Sequence, residues 1–504
     1  MQFSFAMEEI EIVQYFEGKT VFITGATGFL AKIFLEKILR VQPNVKKLFL
    51  LIRPTSERSI EQRLHEEIIG IDLFRVLREG MGDDLSSLFE KVIPISGDIA
   101  NDNLGILDSE LRHNMFQEID IIVNSAATTN FDERYDVALA INALGAMHVE
   151  NFARKCTKLE TLLHVSTAYV HGNGVGLLPE RAFHKGDTLD GAKISYLDIN
   201  TEMKIAKERL MELQTQKATE KEITRAMKDL GIERAMLHGW PNTYVFTKAM
   251  GEMVLENFKE KANLIILRPT IITSTITEPF SGWIEGLRTL DSIFVAYGKG
   301  KLKFFVGDPE STLDMIPGDM VVNCMIAAMA VAAAPLPKSD ESRLSIYHIG
   351  SSKCNPLKFA DIKWLMYRFL IENPLSDGRG KPIEVGQPTT LNTMASFHRY
   401  ITTHYLPFVK ALQYVNVICC NHFESAYSSA KRRISHAMRL AELYKPYIFF
   451  QGIFDDVNTK NLRMKIRSSQ TTHMNLLNFD PKYVQWDEYF LKTHFVGITK
   501  YALK

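Results

Sequence analysis

Two side chains four residues apart, Tyr244 and Lys248 in Thr243-Tyr244-Val245-Phe246-Thr247-Lys248, are where this 504-residue sequence most clearly offers chemistry. On a helix, positions i and i+4 project from one face. The helical run Ala249–Phe258 that follows them therefore predicts a phenol and an ammonium side by side. A free phenol titrates at roughly 10, and a neighbouring cation favours its ionised form. Such a pair can pass a proton to or from a carbonyl oxygen near neutral pH. Upstream, His164-Val165-Ser166-Thr167-Ala168-Tyr169-Val170-His171-Gly172 ends an apolar run with two hydroxyls. Either Ser166 or Thr167 could donate a hydrogen bond to a developing oxyanion, and the other would face a neighbouring strand or backbone. His164 and His171 read as structural: no further ligands accompany them, so no metal is expected.

A second constellation points to a dinucleotide. Thr24-Gly25-Ala26-Thr27-Gly28-Phe29-Leu30-Ala31 stands between an apolar strand and a helix. Gly25 permits the tight turn and Gly28 has no Cβ to block a pyrophosphate. The helix opening at Phe29 and Leu30 presents free N–H groups and its dipole to negative charge. Ala31 is small where a third glycine often stands. The next strand ends in Ile52-Arg53, with no carboxylate between Arg40 and Thr55. Arg53, with Arg63 reaching back from the following helix, suits a 2′-phosphate, which selects NADPH. Asp98 in Ser96-Gly97-Asp98-Ile99 is placed to contact adenine, or to cap a turn. Ala126 and Ala127 are small enough to let the cofactor pass.

The elements that must hold these residues alternate. Strands are predicted at Thr20–Thr24, Lys47–Ile52, Val92–Ser96, Ile119–Asn124, Thr161–Ser166 and Asn263–Leu267, with a helix at Phe29–Val41. Apolar strands separated by helices mean a parallel sheet covered on both faces. The fold class is α/β: a doubly wound, parallel-sheet Rossmann domain with a smaller, mainly helical C-terminal domain. The charged stretch Thr201–Gly231 marks an insertion at about 198–240, either a solvated helical excursion or a substrate-covering lid. Residues 373–390 are rich in Pro, Gly and polar side chains and read as a linker. They separate a reductase domain at 12–372 from a C-terminal domain at 391–504, which closes in the amphipathic segment Trp486–Phe495.

Composition narrows the function. Lys plus Arg and Asp plus Glu are both 59, so the formal charge is zero and bulk attraction to nucleic acid is not expected. The five cysteines, Cys156, Cys324, Cys354, Cys419 and Cys420, form no CxxC pair and suit a reducing compartment. Met1–Glu17 has neither the basic nor the apolar part of a secretory signal. Met320–Pro335 and Tyr405–Cys420 are apolar, but both fall short of the ~18 residues of a membrane span. Lys431-Arg432-Arg433 and Arg439 follow the second, so it either lies on an anionic membrane face or is a core helix before a charged turn.

With these residues assembled, the N-terminal two-thirds resembles the extended short-chain dehydrogenase/reductase superfamily. The whole chain resembles the plant-type, alcohol-forming fatty acyl-CoA reductases. The blocks that carry the likeness are GKTVFITGATGFLAKIFLEKIL, QPNVKKLFLLIRP, HVSTAYVHG, GWPNTYVFTKAMGE, LRPTIITSTITEPFSGWIEG, YKPYIFFQGIFDDVNTKNLR and FDPKYVQWDEYFLKTHFVGITKYAL. The resemblance implies reduction of a long-chain fatty acyl-CoA to a primary alcohol through a bound aldehyde, with NADPH as reductant and release of CoA. It implies Tyr244, Lys248, Thr167 and Ser166 at the catalytic centre, with Thr167 favoured because it stands five residues before Gly172. For the cofactor it implies Thr24, Gly25, Thr27, Gly28, Phe29, Leu30, Arg53, Arg63, Asp98, Ile99, Ala126, Ala127, Lys248 and Pro269. Related thioester reductases use two arginines at the spacing of Arg53 and Arg63. The substrate favours peripheral contact on the cytosolic face of the endoplasmic reticulum and roles in wax or suberin lipids; no oligomeric state is implied. The rival readings are another extended reductase, acting on a sterol or sugar nucleotide, and a non-catalytic acyl-CoA or lipid binder.

Overall fold

Seven short runs meet edge to edge because the central ones are buried on both faces and have nowhere else to satisfy their backbone. In the computed structural model, which describes residues 7–334, 343–467 and 476–503, they form one parallel sheet. Met1–Ala6 and Pro335, parts of two stretches read above, lie outside the described residues. The strands are β1 (Thr20–Thr24), β2 (Lys47–Ile52), β3 (Val92–Ser96), β4 (Ile121–Asn124), β5 (Thr161–Val165), β6 (Asn263–Pro269) and β7 (Leu344–Ile349). Their order across the sheet is β7-β6-β5-β4-β1-β2-β3. Six are the strands expected from sequence. The seventh pairs with β6, Leu344 opposite Leu264 through Ile349 opposite Pro269.

The principal helices are α1 (Phe29–Val41), α2 (Gly145–Lys155), α3 (Ile199–Thr215), α4 (Glu220–Leu237), α5 (Thr243–Val254), α6 (Gly318–Ala333), α7 (Leu406–Ile418) and α8 (Glu424–Ile448). Alternate strand residues feed two cores. Val21 and Ile23 of β1 join α1 and α6, while Phe22 between them joins Val149 and Phe152 of α2. The apolar α6, short of a membrane span by sequence, is a core helix. Chain direction away from β1 reverses between β1 and β4, and in such sheets ligands bind at the strand C-termini beside that reversal.

The charged, helical insertion folds as the two helices α3 and α4. Lys217 takes φ +54°, and Thr219 then caps α4, accepting from Glu222 N while the Glu222 side chain returns to Thr219 N. Glu202 of α3 holds the pair in place, accepting from Tyr135 Oη at 2.7 Å, Arg234 Nε at 2.9 Å and His238 Nε2 at 3.0 Å. The C-terminal region threads back through the rest. Gly452–Phe454 pairs in parallel with Gly176–Leu178, and Thr389–Leu391 with Phe304–Val306. Tyr489 and His494 are buried against Ser274, and His494 Nε2 meets Asp291 Oδ1 at 3.1 Å.

Candidate active site

Two adjoining cavities open at the C-terminal edge of the sheet and share Gly28, Ser125 and Ala127. The narrower, about 160 Å³, is lined by Gly25, Thr27, Arg53, Arg63, Asp98, Ile99 and Ala126. The wider, about 530 Å³, is lined by Phe29, Leu30, Ser166, Thr167, Tyr244, Lys248 and Pro269. Every residue proposed from sequence therefore faces one of them, except Thr24. Its hydroxyl donates to Asn124 Oδ1 at 2.7 Å and accepts from Ala126 N at 3.3 Å, so it braces the cleft floor from beneath.

The narrow cavity suits a dinucleotide by construction. Gly25 has φ +69°, and a Cβ there would sit 2.7 Å from the Ala126 backbone. Gly28 stands at the N-cap of α1 with no side chain to occupy the helix's free N–H groups. Arg53 is exposed at the rim. Arg63 is already engaged, donating to Glu67 from Nε at 2.9 Å and Nη2 at 2.7 Å, and to Arg53 O at 2.5 Å. Asp98 lines the cavity and also caps a turn, accepting from Ala100 N at 3.0 Å.

In the wide cavity Tyr244 is fixed by α5, which starts at Asn242: the Asn242 side chain accepts from Val245 N at 3.1 Å and donates to Tyr447 Oη at 3.0 Å. The Tyr244 ring stacks on Phe131 at 5.6 Å, and Phe131 on Tyr447 at 4.8 Å. Burial pushes the Tyr244 phenol up to about 12, while the Thr167 hydroxyl and the Arg288 guanidinium pull the other way. Tyr244 is thus a protonated donor at neutral pH. Thr167 Oγ1 accepts from Tyr169 N at 3.3 Å and lies 3.4 Å from Pro269 O.

The expected contact of phenol with ammonium is rearranged. Lys248 Nζ turns to the sheet, donating to Val165 O at 2.7 Å and lying 3.4 Å from His164 Nε2. Burial lowers its pKa to about 8, opposed by Glu252. The cation acting on Tyr244 is instead Arg288, which lines the same cavity and lies over the Phe29 ring at 4.7 Å. Ser166 also differs from expectation: its hydroxyl donates to the Glu252 carboxylate on α5, not to a strand or backbone. His164 is held at Nδ1 by Asn124 Nδ2 at 3.0 Å and kept neutral by burial and by Lys248.

Sequence reasoning missed the far wall, formed by Leu440, Leu443, Tyr444 and Tyr447 of α8, with Leu287, Arg288 and Leu290 beside it. Only an apolar spacing in α8 could have hinted at it. An ion-pair clasp holds that wall. Arg439 donates to Asp132 Oδ1 at 2.6 Å and to Asp229 Oδ1 at 2.7 Å, joining α8 to the β4 loop and the insertion. The insertion itself lines neither cavity. No cysteine lines them either, and burial raises Cys156 to about 12. Among the described residues no cluster of His, Cys, Asp or Glu is arranged to hold a metal.

Comparisons with known proteins bear on the whole chain. Residues 23–325 match one family described as male sterility protein, and residues 403–504 match a second with the same description. Fatty acyl-CoA reductase 1 of Arabidopsis thaliana is 51% identical over 498 residues, covering 98% of this chain and 100% of the relative. The alcohol-forming fatty acyl-CoA reductase of Simmondsia chinensis is 46% identical over 499 residues, covering 99% and 100%. Among solved structures, the terminal reductase domain of the myxalamid pathway shares the fold, with a TM-score of 0.53 at 17% identity over 96% of this chain and 91% of that one.

Proposed function

The chain belongs to the male sterility protein family, and from that premise we propose that it is an NADPH-dependent reductase converting long-chain fatty acyl-CoA to primary alcohol. The observation that carries the reading is the continuity of the two cavities: a cleft fitted to a dinucleotide opens beside Tyr244, Thr167 and Lys248 and runs on to the apolar wall of α8. Bound NADPH would supply the hydride. The chain's part is to hold the carbonyl oxygen against two hydroxyl donors and to deliver a proton.

In the first reduction Thr167 and Tyr244 stabilise the oxyanion formed on the thioester carbonyl. The hemithioacetal then expels a thiolate, which leaves readily because a thiol titrates at roughly 8.5. In the second reduction the aldehyde becomes an alkoxide, a far stronger base, and Tyr244 donates its proton. A phenol kept protonated by burial suits that role. Arg288 adds positive charge that acts on Tyr244, and Lys248, which lines the cavity while donating to Val165 O, would meet the cofactor ribose.

A membrane surface is proposed as the source of substrate, on the cytosolic face of the endoplasmic reticulum. No helix among the described residues is long and apolar enough to cross a membrane. Yet α7 leaves Phe408, Tyr414, Val417 and Ile418 between 65% and 79% exposed, and the exposed cations Lys431, Arg432 and Arg433 follow on α8. Apolar anchors beside cations suit an anionic interface.

The decisive assay incubates the full chain with palmitoyl-CoA and NADPH. Hexadecanol with free CoA, and two equivalents of NADPH consumed per alcohol, is the expected result; no cofactor oxidation, or aldehyde as the sole product, contradicts the reading. Flotation with phosphatidylserine vesicles checks the membrane contact, and protein left at the bottom at low salt counts against it.

A further inference from the structure

Beneath the catalytic face lies a buried charge cluster that the reaction as described does not use. Glu252 stands one helical turn beyond Lys248 on α5, and both are 1% exposed. Its carboxylate accepts from Ser166 Oγ at the end of β5, from Arg268 Nε at 3.0 Å and from Arg268 Nη2 at 2.5 Å. Arg268, fully buried on β6, has its remaining hydrogens near His171 Nε2 and His348 Nε2, both at 3.3 Å, and on Arg181 O at 2.9 Å. One carboxylate therefore pairs with Arg268, stands one turn from Lys248 on the same helix face, and fastens the strand end that carries the catalytic hydroxyl. A cation buried without a partner is strongly destabilising, so Arg268 depends on this carboxylate.

We propose that Glu252 is a positioning residue for the reduction, the counter-charge that keeps Lys248 an ammonium and the tie that sets β5 against α5. This rests on the reductase reading and deepens it. Among the described residues no other carboxylate is found to act on Lys248. On β5 it meets the neutral His164 and the Val165 carbonyl; on its own helix it has Tyr244; and β6 contributes the cation Arg268. The charged groups on neighbouring helices are closed on themselves, His148 with Asp102 at 3.3 Å and Glu202 with Arg234 and His238. Burial lowers the Lys248 pKa to about 8, and Glu252 raises it. Sign follows: Lys248 loses its proton as pH rises through about 8, and without Glu252 it does so earlier.

The test is the pH profile of single-turnover hydride transfer from NADPH to hexadecanal, using the full chain. The E252Q variant should move the high-pH limb down by about one pH unit or more. The E252D variant keeps the charge, so it should keep the limb and lose only rate. Leaving Arg268 bare can unfold the protein, so a double variant, E252Q with R268M, replaces the pair by neutral side chains; because it removes a cation as well as the carboxylate, its limb should still fall, but by less than that of E252Q. Folding is read separately from circular dichroism and NADPH binding. A folded E252Q or double variant with the wild-type limb overturns the proposal, even if its rate is lower. If the unaltered chain turns over neither palmitoyl-CoA nor hexadecanal, it is the reductase reading that fails.

Discussion

The narrow cavity is built from nearby sequence and the wide one from distant sequence. Gly25 through Ile141 supply the whole wall of the first, on successive β–α turns of one half of the sheet. The second draws on Gly28, the β5 end, α5, the loop at Arg288 and α8, more than 400 residues of chain. The first therefore depends on backbone conformation, which a short motif can dictate. The second depends on how remote elements dock, and a substitution far from the chemistry reaches it.

Four substitutions sharpen that contrast. Removing the proton donor by Tyr244→Phe should cost about 10²–10⁴ in kcat, and aldehyde reduction should suffer at least as much as thioester reduction. Separate assays with hexadecanal and palmitoyl-CoA check this, and an unchanged aldehyde rate would remove Tyr244 from the mechanism. Next, Arg53→Ala should weaken NADPH binding roughly ten- to a hundredfold, the range of a lost charged hydrogen bond, and leave NADH binding alone; titration of both cofactors decides it. Arg288→Met should lower kcat about tenfold with either substrate while NADPH affinity holds, which stopped-flow traces would separate. Smallest, Tyr447→Phe removes the bond from Asn242 and should cost about 1 kcal/mol of stability, seen as a lower melting temperature, with the narrow cavity's cofactor affinity intact. Equal loss of cofactor binding in all four would erase the distinction between the cavities.

Legibility followed the same divide. Six strands, α1 and the glycine turn are contiguous patterns, and Phe29–Val41 ends where Pro43 says it must. β7 carries a weaker signal: LSIYHI interrupts its apolar residues with Ser345 and His348 and lies beyond the region of regular strand–helix alternation. The spacing of Tyr244 and Lys248 was informative about their shared face but not about direction: two long side chains from one face can diverge, and Lys248 finds better acceptors at Val165 and His164. Thr24 and Ser166 were near the right place with the wrong partners, since hydroxyls turn toward whichever buried acceptor is nearest. Arg288 and Tyr447 carry no local signal, because their roles exist only once the loop and α8 fold back over Phe29 and Phe131.

The return of Gly452–Phe454 to lie beside Gly176–Leu178 bears on any attempt to shorten or recombine this protein. A fragment ending at the proposed linker would keep the nucleotide cleft yet lose the Tyr447 anchor and the α8 wall of the wide cavity. Any recombination between relatives thus calls for exchanging both ends of the polypeptide together, as one matched graft.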